Sequence, residues 1–395
     1  MTDNRGVKTT LSLSSPAPTT AHDGYAIPSS EVGHALRTEF EAAGGWLPFD
    51  RFMHLALYAP GWGYYATSKR VIGVGFGDGS DFVTAPELSP VFTKTLARAV
   101  AAWMEQTGVD EIWEFGAGRG VLARDLLSAL DELGVGPRQG CVRRYVIVEV
   151  SAALRSVQEE TLAQFQDTVT WAGAWPERLN AVVLGNEVLD AMPVQLLHRV
   201  SGQWHERGVA LKGDKLFWED RLSSLRPPMH IAGEHDYLTE IHPQANAWVQ
   251  SLGQRLRRGV VVLFDYGFPE AEYYHPQRSG GTVMCHQGHM SDPNPLESVG
   301  EKDITAHVDF TGVALAAQAA GLAIVGYTSQ GSFLLDAGLV DVLAQASVPE
   351  QAAALKLIHE HEMGELFKVI ALAPESGAAQ VPPIGFVRGD RTHAL

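Results

Sequence analysis

The sequence predicts an α/β fold: a parallel sheet with helices on both faces, an N-terminal helical lobe and an inserted β element. Three observations carry this expectation. From residue 108 onward, short apolar runs alternate with amphipathic helical segments, the βαβα order of an open sheet. A glycine-rich turn joins the first of these runs directly to the first helix. Between residues 195 and 222 the helical spacing gives way to alternating strands, broken at Ser201-Gly202 and Gly213-Asp214 as hairpins are.

With 395 residues the chain exceeds one compact core, so two lobes or one domain with large insertions are expected. Residues 1–29, rich in Ser, Thr, Pro and Ala, read as a mobile tail. They lack the apolar centre of a secretory signal, and with Asp3 and Asp23 they make a poor mitochondrial address. Residues 30–107 form the helical lobe. Val32, Ala35, Leu36 and Phe40 recur at helical spacing behind a cap at Ser29 or Ser30, and a second helix enters at Pro48. A third runs from about Ser89 to Gln106, beyond a Gly-rich loop at 73–80.

The first part of the sheet occupies residues 108–194. Its strands are expected at 110–115, 144–150 and 181–185, with helices at 121–133 and 152–166. The β insertion covers 195–235 and the second part of the core 236–375, with strands at 259–265, 323–327 and 365–373. Residues 376–395 are expected to be a C-terminal tail.

Composition narrows the function. A net charge of −16 excludes broad, phosphate-driven nucleic-acid binding and suits a cationic substrate. Two cysteines, Cys141 and Cys285, exclude a disulfide framework and fit a reducing compartment. No apolar run is long enough to span a bilayer. A cytoplasmic location follows as the expectation, or the mitochondrial matrix for a eukaryotic chain.

The turn Glu114-Phe-Gly-Ala-Gly-Arg-Gly120 lets a ligand approach the backbone closely. It differs from the dinucleotide loop, whose third glycine comes one residue later. Glu114 would repel a pyrophosphate but tolerate the ammonium and sulfonium of S-adenosylmethionine. Gly116 and Gly118 thus become cofactor residues. Glu149, ending the next strand, holds the position of the carboxylate that binds ribose hydroxyls. Alone, the glycine loop is equally consistent with a tight turn, and Glu149 with a solvated strand end.

Asn186-Glu-Val-Leu-Asp190 and Asp265-Tyr-Gly267 follow the next two strands, where ligands sit in open sheets. Asn186, Glu187 and Asp190 are the catalytic candidates, since paired carboxylates can orient a nitrogen nucleophile and take its proton. A polar helix N-terminus would use the same residue types. The aromatics of Gly61-Trp-Gly-Tyr-Tyr65 either line a cleft or pack in the lobe. Cys285-His-Gln-Gly-His289 and His359-Glu-His361 lack the partner cluster of a tetrahedral site, so no metal is expected.

Four blocks together resemble the MidA family of class I S-adenosylmethionine-dependent methyltransferases, Rossmann-like enzymes related to a mitochondrial complex I assembly arginine methyltransferase. They are Gly61–Tyr65 with Asp81-Phe-Val-Thr-Ala-Pro-Glu-Leu-Ser89; Glu114–Gly120; Asn186–Pro193; and Asp265–Gly267 with Asp303-Ile-Thr-Ala-His-Val-Asp-Phe310. The resemblance implies a cofactor role for Thr84 and Glu87 beside Glu114, Gly116, Gly118 and Glu149. It puts Tyr64, Tyr65, Asp265, Tyr266 and His307 on the substrate side. It also implies arginine of a protein as acceptor, a respiratory-complex subunit among the partners. The sequence departs from the family in Phe115-Gly-Ala-Gly and in the Gly-rich 73–80 segment, which would reshape the substrate entrance. Two other readings stand beside it: a non-catalytic assembly factor on the same fold, and a nicotinamide-dependent oxidoreductase.

Overall fold

A computed structural model describes residues 24–28, 30–67 and 83–395, so the Gly-rich segment and its expected effect lie outside the described residues. The central sheet has eight strands: Val308–Asp309 pairs off the main path, parallel to Gly267 and Phe268, and seven lie side by side. The seven are β1 (Glu111–Phe115), β2 (Arg144–Val148), β3 (Val169–Ala172), β4 (Leu179–Asn186), β5 (Leu256–Phe268), β6 (Leu322–Ser329) and β7 (Phe367–Pro374). Their order across the sheet is 3-2-1-4-5-7-6. β1 to β5 run parallel, whereas β7 lies antiparallel between β5 and β6. The sheet is therefore mixed rather than wholly parallel. An antiparallel neighbour can pair without a right-handed crossover, which lets the last strand slot in beside β5.

Alternate residues of each strand feed two separate cores. Ile112, Ile147, Val182, Val260 and Val369 face one side, with Trp103, Leu126 and Phe333 from the covering helices. Trp113, Val146, Val183, Val261 and Ile370 face the other, with Val249 and Phe310. This period-two division explains why the buried strands read as unbroken apolar runs. The crevice forms where the chain turns from β3 back across the sheet to β4, at the carboxyl ends of β1 and β4.

The lobe boundaries differ from the sequence expectation. The helix Pro90–Thr107 belongs to the sheet core, with Phe92 edge-on to Phe264 of β5 at 5.4 Å. The inserted sheet has six strands, not three. Gln195–Val200, Gln203–Lys212 and Lys215–Leu222 are joined by Tyr237–Ile241, and by Tyr25–Ala26 and Trp46–Pro48 from the N-terminal region. Part of the expected tail and part of the helical lobe thus satisfy open edges of the hairpins, which otherwise expose unpaired N–H and C=O groups. The insertion ends at Ile241, beyond the expected 235. Nor are residues 376–395 a loose tail. Phe386 packs on Phe333, ring centroids 5.4 Å apart, and Arg391 pairs with Glu365 at 3.0 Å.

Candidate active site

The glycine turn has the backbone that its sequence demands. Gly116, Gly118 and Gly120 all adopt left-handed φ values, +68°, +52° and +81°. A side chain at Gly116 would also strike Val188, since a Cβ there lies 2.8 Å from Val188 Cγ2. The helix Val121–Glu132 starts immediately after Gly120, so its N-terminal amides open toward the crevice.

Glu114 is the last residue but one of β1, immediately before this turn. Its side chain is buried, and the Tyr145 hydroxyl donates to Oε2 at 2.7 Å. Burial lifts its pKa to about 7, against the Tyr145 hydrogen bond. The Tyr145 hydroxyl thus anchors the Glu114 carboxyl at the entrance to the turn.

Glu149 stands at the end of β2, its oxygens accepting from the Ser151 backbone N–H at 2.7 Å and from Gln158 Nε2 at 3.0 Å. Burial raises its pKa. Gln158, fully buried, was not foreseen from the sequence. Its Nε2 also donates to the Gly118 carbonyl at 2.8 Å, and its Oε1 accepts from Trp171 Nε1 at 2.9 Å. One amide thus ties the glycine turn to the strand-end carboxylate and fixes their separation. Only a polar residue on the inward face of the helix Ala152–Thr161 hinted at it.

Thr84 precedes the short helix Ala85–Leu88 and Glu87 lies within it, and two interactions bring the helix to the crevice. The Ala85 N–H bonds the Glu187 carboxylate, and Glu87 faces Arg124 on the helix that follows the glycine turn.

On the acceptor side, β4 ends at Asn186 and the chain folds back sharply. Glu187 has φ +54°, a left-handed conformation rare for a residue with a side chain and typical of functional sites. Its N–H donates to the Phe264 carbonyl at 2.8 Å, and Asn186 Nδ2 donates to its Oε1 at 3.0 Å. Burial and the nearby Asp190 push the Glu187 pKa to about 8; burial pushes Asp190 to about 6. Asn186 Oδ1 and Asp190 Oδ1 are buried acceptors without a hydrogen-bond partner among the described residues.

Asp265 departs from its expected substrate role. Oδ2 accepts from the backbone N–H groups of Val188, Leu189 and Asp190 at 3.1, 2.8 and 3.3 Å, and Oδ1 from that of Tyr266 at 3.0 Å. It clamps the turn that carries Glu187 and Asp190. The hydroxyl of the neighbouring Tyr266 is bonded to the Asp190 carboxylate. His307 packs edge-on against the Tyr266 ring at 5.3 Å, and burial lowers its pKa to about 4, keeping the imidazole neutral.

The two tyrosines of the first block separate. Tyr64 is core of the lobe, whereas Tyr65 donates to Asp303 Oδ1 at 2.9 Å. Tyr65 also stacks on Tyr58 at 5.6 Å, whose hydroxyl bonds the Ala191 carbonyl at 2.8 Å. Tyr58 and Asp303 are thus site neighbours that the block comparison left without a role. Cys285 is buried in the apolar lobe core, where burial raises its thiol pKa, and His359 and His361 are exposed. Among the described residues no group of three His, Cys, Asp or Glu is placed to hold a metal.

The residues fit S-adenosylmethionine. The left-handed glycines have no side chain to strike Val188, and Glu149, set by Gln158 at a strand end, would meet the ribose hydroxyls. Fold and crevice together define an S-adenosylmethionine-dependent methyltransferase. The chain belongs to the family described as "Putative S-adenosyl-L-methionine-dependent methyltransferase", whose model matches residues 95–328. Its fold is similar to that of a "likely methyl transferase" from Burkholderia thailandensis bound to S-adenosyl-homocysteine. That protein is 44% identical, with 92% of this chain and 96% of that one covered and a TM-score of 0.85. A mitochondrial "Protein arginine methyltransferase NDUFAF7 homolog" of Drosophila melanogaster is 29% identical, covering 90% of each chain. The mitochondrial protein arginine methyltransferase NDUFAF7 of Homo sapiens is 27% identical over 82% of this chain and 79% of its own. Among the described residues no helix is long and apolar enough to cross a membrane.

Proposed function

We propose that the chain methylates the guanidinium of an arginine in a protein substrate. The observation that carries this is the pair Glu187 and Asp190. Asp190 is buried and Glu187 partly so, both have raised pKa values, and beside them Asn186 Oδ1 is a buried acceptor with no hydrogen-bond partner among the described residues. A buried acidic pair is costly unless a cation compensates it, and a guanidinium is a planar cation that offers five N–H donors. Glu187 and Asp190 would bind it through charge-assisted hydrogen bonds and orient one nitrogen toward the crevice. The bound cofactor supplies the methyl group on a sulfonium leaving group, so alignment does most of the work.

Arginine loses its proton with difficulty. Glu187, poised near neutrality, would accept that proton as the nitrogen–carbon bond forms. Tyr266 holds Asp190 by a hydrogen bond, and Asp265 holds the turn carrying both. The names of the fly and human relatives support the same acceptor. By the resemblance set out above, the substrate would be a respiratory-complex subunit.

The test is transfer of labelled methyl from S-adenosylmethionine to arginine-containing peptides and candidate subunits. Glu187→Gln keeps the shape but removes the proton acceptor, and should lower turnover by about 10²-fold or more. S-adenosylhomocysteine affinity should hold in the same variant. Undiminished turnover would sink the assignment. A chain that binds cofactor yet methylates no arginine would favour the assembly-factor reading.

A further inference from the structure

Arg199, on the inserted strand Gln195–Val200, is 5% exposed. Its Nη1 donates to the Ile231 carbonyl at 2.9 Å and its Nε to the His235 carbonyl at 3.2 Å. Nη2 is buried and has no hydrogen-bond partner among the described residues. Trp204 and Tyr237 lie against the guanidinium, 5.4 and 5.6 Å from their ring centroids, and shield it from water. The next strand shows the usual solution. Arg207, similarly shielded, pairs with both oxygens of Asp220 at 2.7 and 2.9 Å. Among the described residues Arg199 has no such partner.

Arg199 lines a recess of about 440 Å³ on the insertion. Its lining is mostly polar, with Trp204, Pro227, Pro228 and Met229 as apolar contacts and Arg226 as a second guanidinium. Arg226 itself donates through Nη1 to the carbonyls of Ser223 and Leu225, so its charge too is uncompensated by these contacts. Against these stands one carboxylate on the lining, Glu234, and His230 adds a titratable nitrogen.

We propose that this recess binds an organic oxyanion, a carboxylate or phosphate group attached to an apolar body. The oxyanion would accept from Arg199 Nη2 and neutralise its buried charge. The apolar part would lie between Trp204 and the Pro227–Met229 wall. The volume decides for a head with a body, because a bare ion would fill only a small part of it. The proposal is independent of methyl transfer and of its acceptor, since none of these residues belongs to the cofactor crevice.

The full-length protein, labelled at tryptophan indoles and arginine Nε, would be titrated with benzoate, phenyl phosphate, acetate, inorganic phosphate and neutral benzyl alcohol. Trp204→Phe identifies the reporting indole. Saturable shifts of Trp204 and Arg199 with benzoate or phenyl phosphate, at least about tenfold tighter than with acetate or inorganic phosphate, are expected. The stronger of the two aromatic ligands identifies the head group. Arg199→Gln should weaken binding at least about tenfold. Because Arg199 also holds two carbonyls, Arg226→Ala provides a second variant, expected to weaken binding several-fold with the fold intact. Equal binding of benzyl alcohol, or unmoved Trp204 and Arg199 signals with every anion, would overturn the proposal and leave an apolar cleft or a site for water only.

Discussion

Replacing Asp265 by Asn tests whether the acceptor-side carboxylates depend on a clamp. The native side chain takes three backbone N–H groups on Oδ2 and one on Oδ1. Asparagine has the same shape but a single oxygen. With that oxygen toward Val188, Leu189 and Asp190, the new NH₂ confronts the Tyr266 N–H, and one charge-assisted bond is lost. The reverse orientation loses three. At about 1.5–3 kcal/mol per bond to a charged group, the better orientation costs roughly 2–3 kcal/mol. Part of this is offset, because burial and repulsion from Asp190 and Glu187 raise the Asp265 pKa and the variant removes that charge. A net loss of about 1–3 kcal/mol in urea unfolding is expected. Hydrogen exchange resolved by segment should show Val188, Leu189 and Asp190 amides losing protection before the rest of the sheet. Methyl transfer should fall with them, and S-adenosylhomocysteine should bind less tightly, since Val188 packs over Gly116. Unchanged protection across 188–190 with an unchanged urea midpoint would refute the clamp.

Four further expectations concern the crevice. Glu149→Ala should weaken S-adenosylhomocysteine by about 10–100-fold in calorimetry, two hydrogen bonds to a carboxylate being lost. Gln158→Leu should weaken it less, by setting Glu149 adrift from the glycine turn; equal loss in both would mean that Gln158 itself holds the ligand. Gly116→Ala should cost about 1–2 kcal/mol through its φ of +68° and its collision with Val188, and abolish cofactor binding. Adding Val188→Ala should recover part of that stability, and a double variant no better than the single would remove the steric explanation. Stability should also respond to pH through Glu187, whose pKa rises from 4.5 to about 8 on folding. Between these values the folded chain holds a proton that the unfolded chain has released. The contribution is complete below about pH 4.5 and is lost as pH climbs through about 8. The urea midpoint should therefore fall toward alkaline pH, and fall less in Glu187→Gln. Parallel curves for the two proteins would exclude Glu187 as the source.

The sequence by itself determined whatever depends on local pattern. Apolar runs such as Ala181–Leu184 and Val260–Phe264 could bury only as strands covered on both faces, and the glycines at 116, 118 and 120 required a turn. The order of those segments then placed Glu149, Glu187 and Asp190 at strand ends, where an open sheet gathers its ligands. Tertiary structure decided what each carboxylate does, because that depends on groups distant in the chain. Glu114 meets Tyr145, whose hydroxyl anchors its carboxyl. Asp265 meets three amides some 75 residues earlier and becomes a clamp. Glu149 is fixed by Gln158, a residue of ordinary helical spacing. The strand Tyr25–Ala26 was illegible for the same reason, since two residues carry no periodicity and owe their conformation to the open edge at Lys215–Leu216. Local pattern sets backbone form and the direction of side chains; only the packed sheet determines which polar atoms are left to face one another.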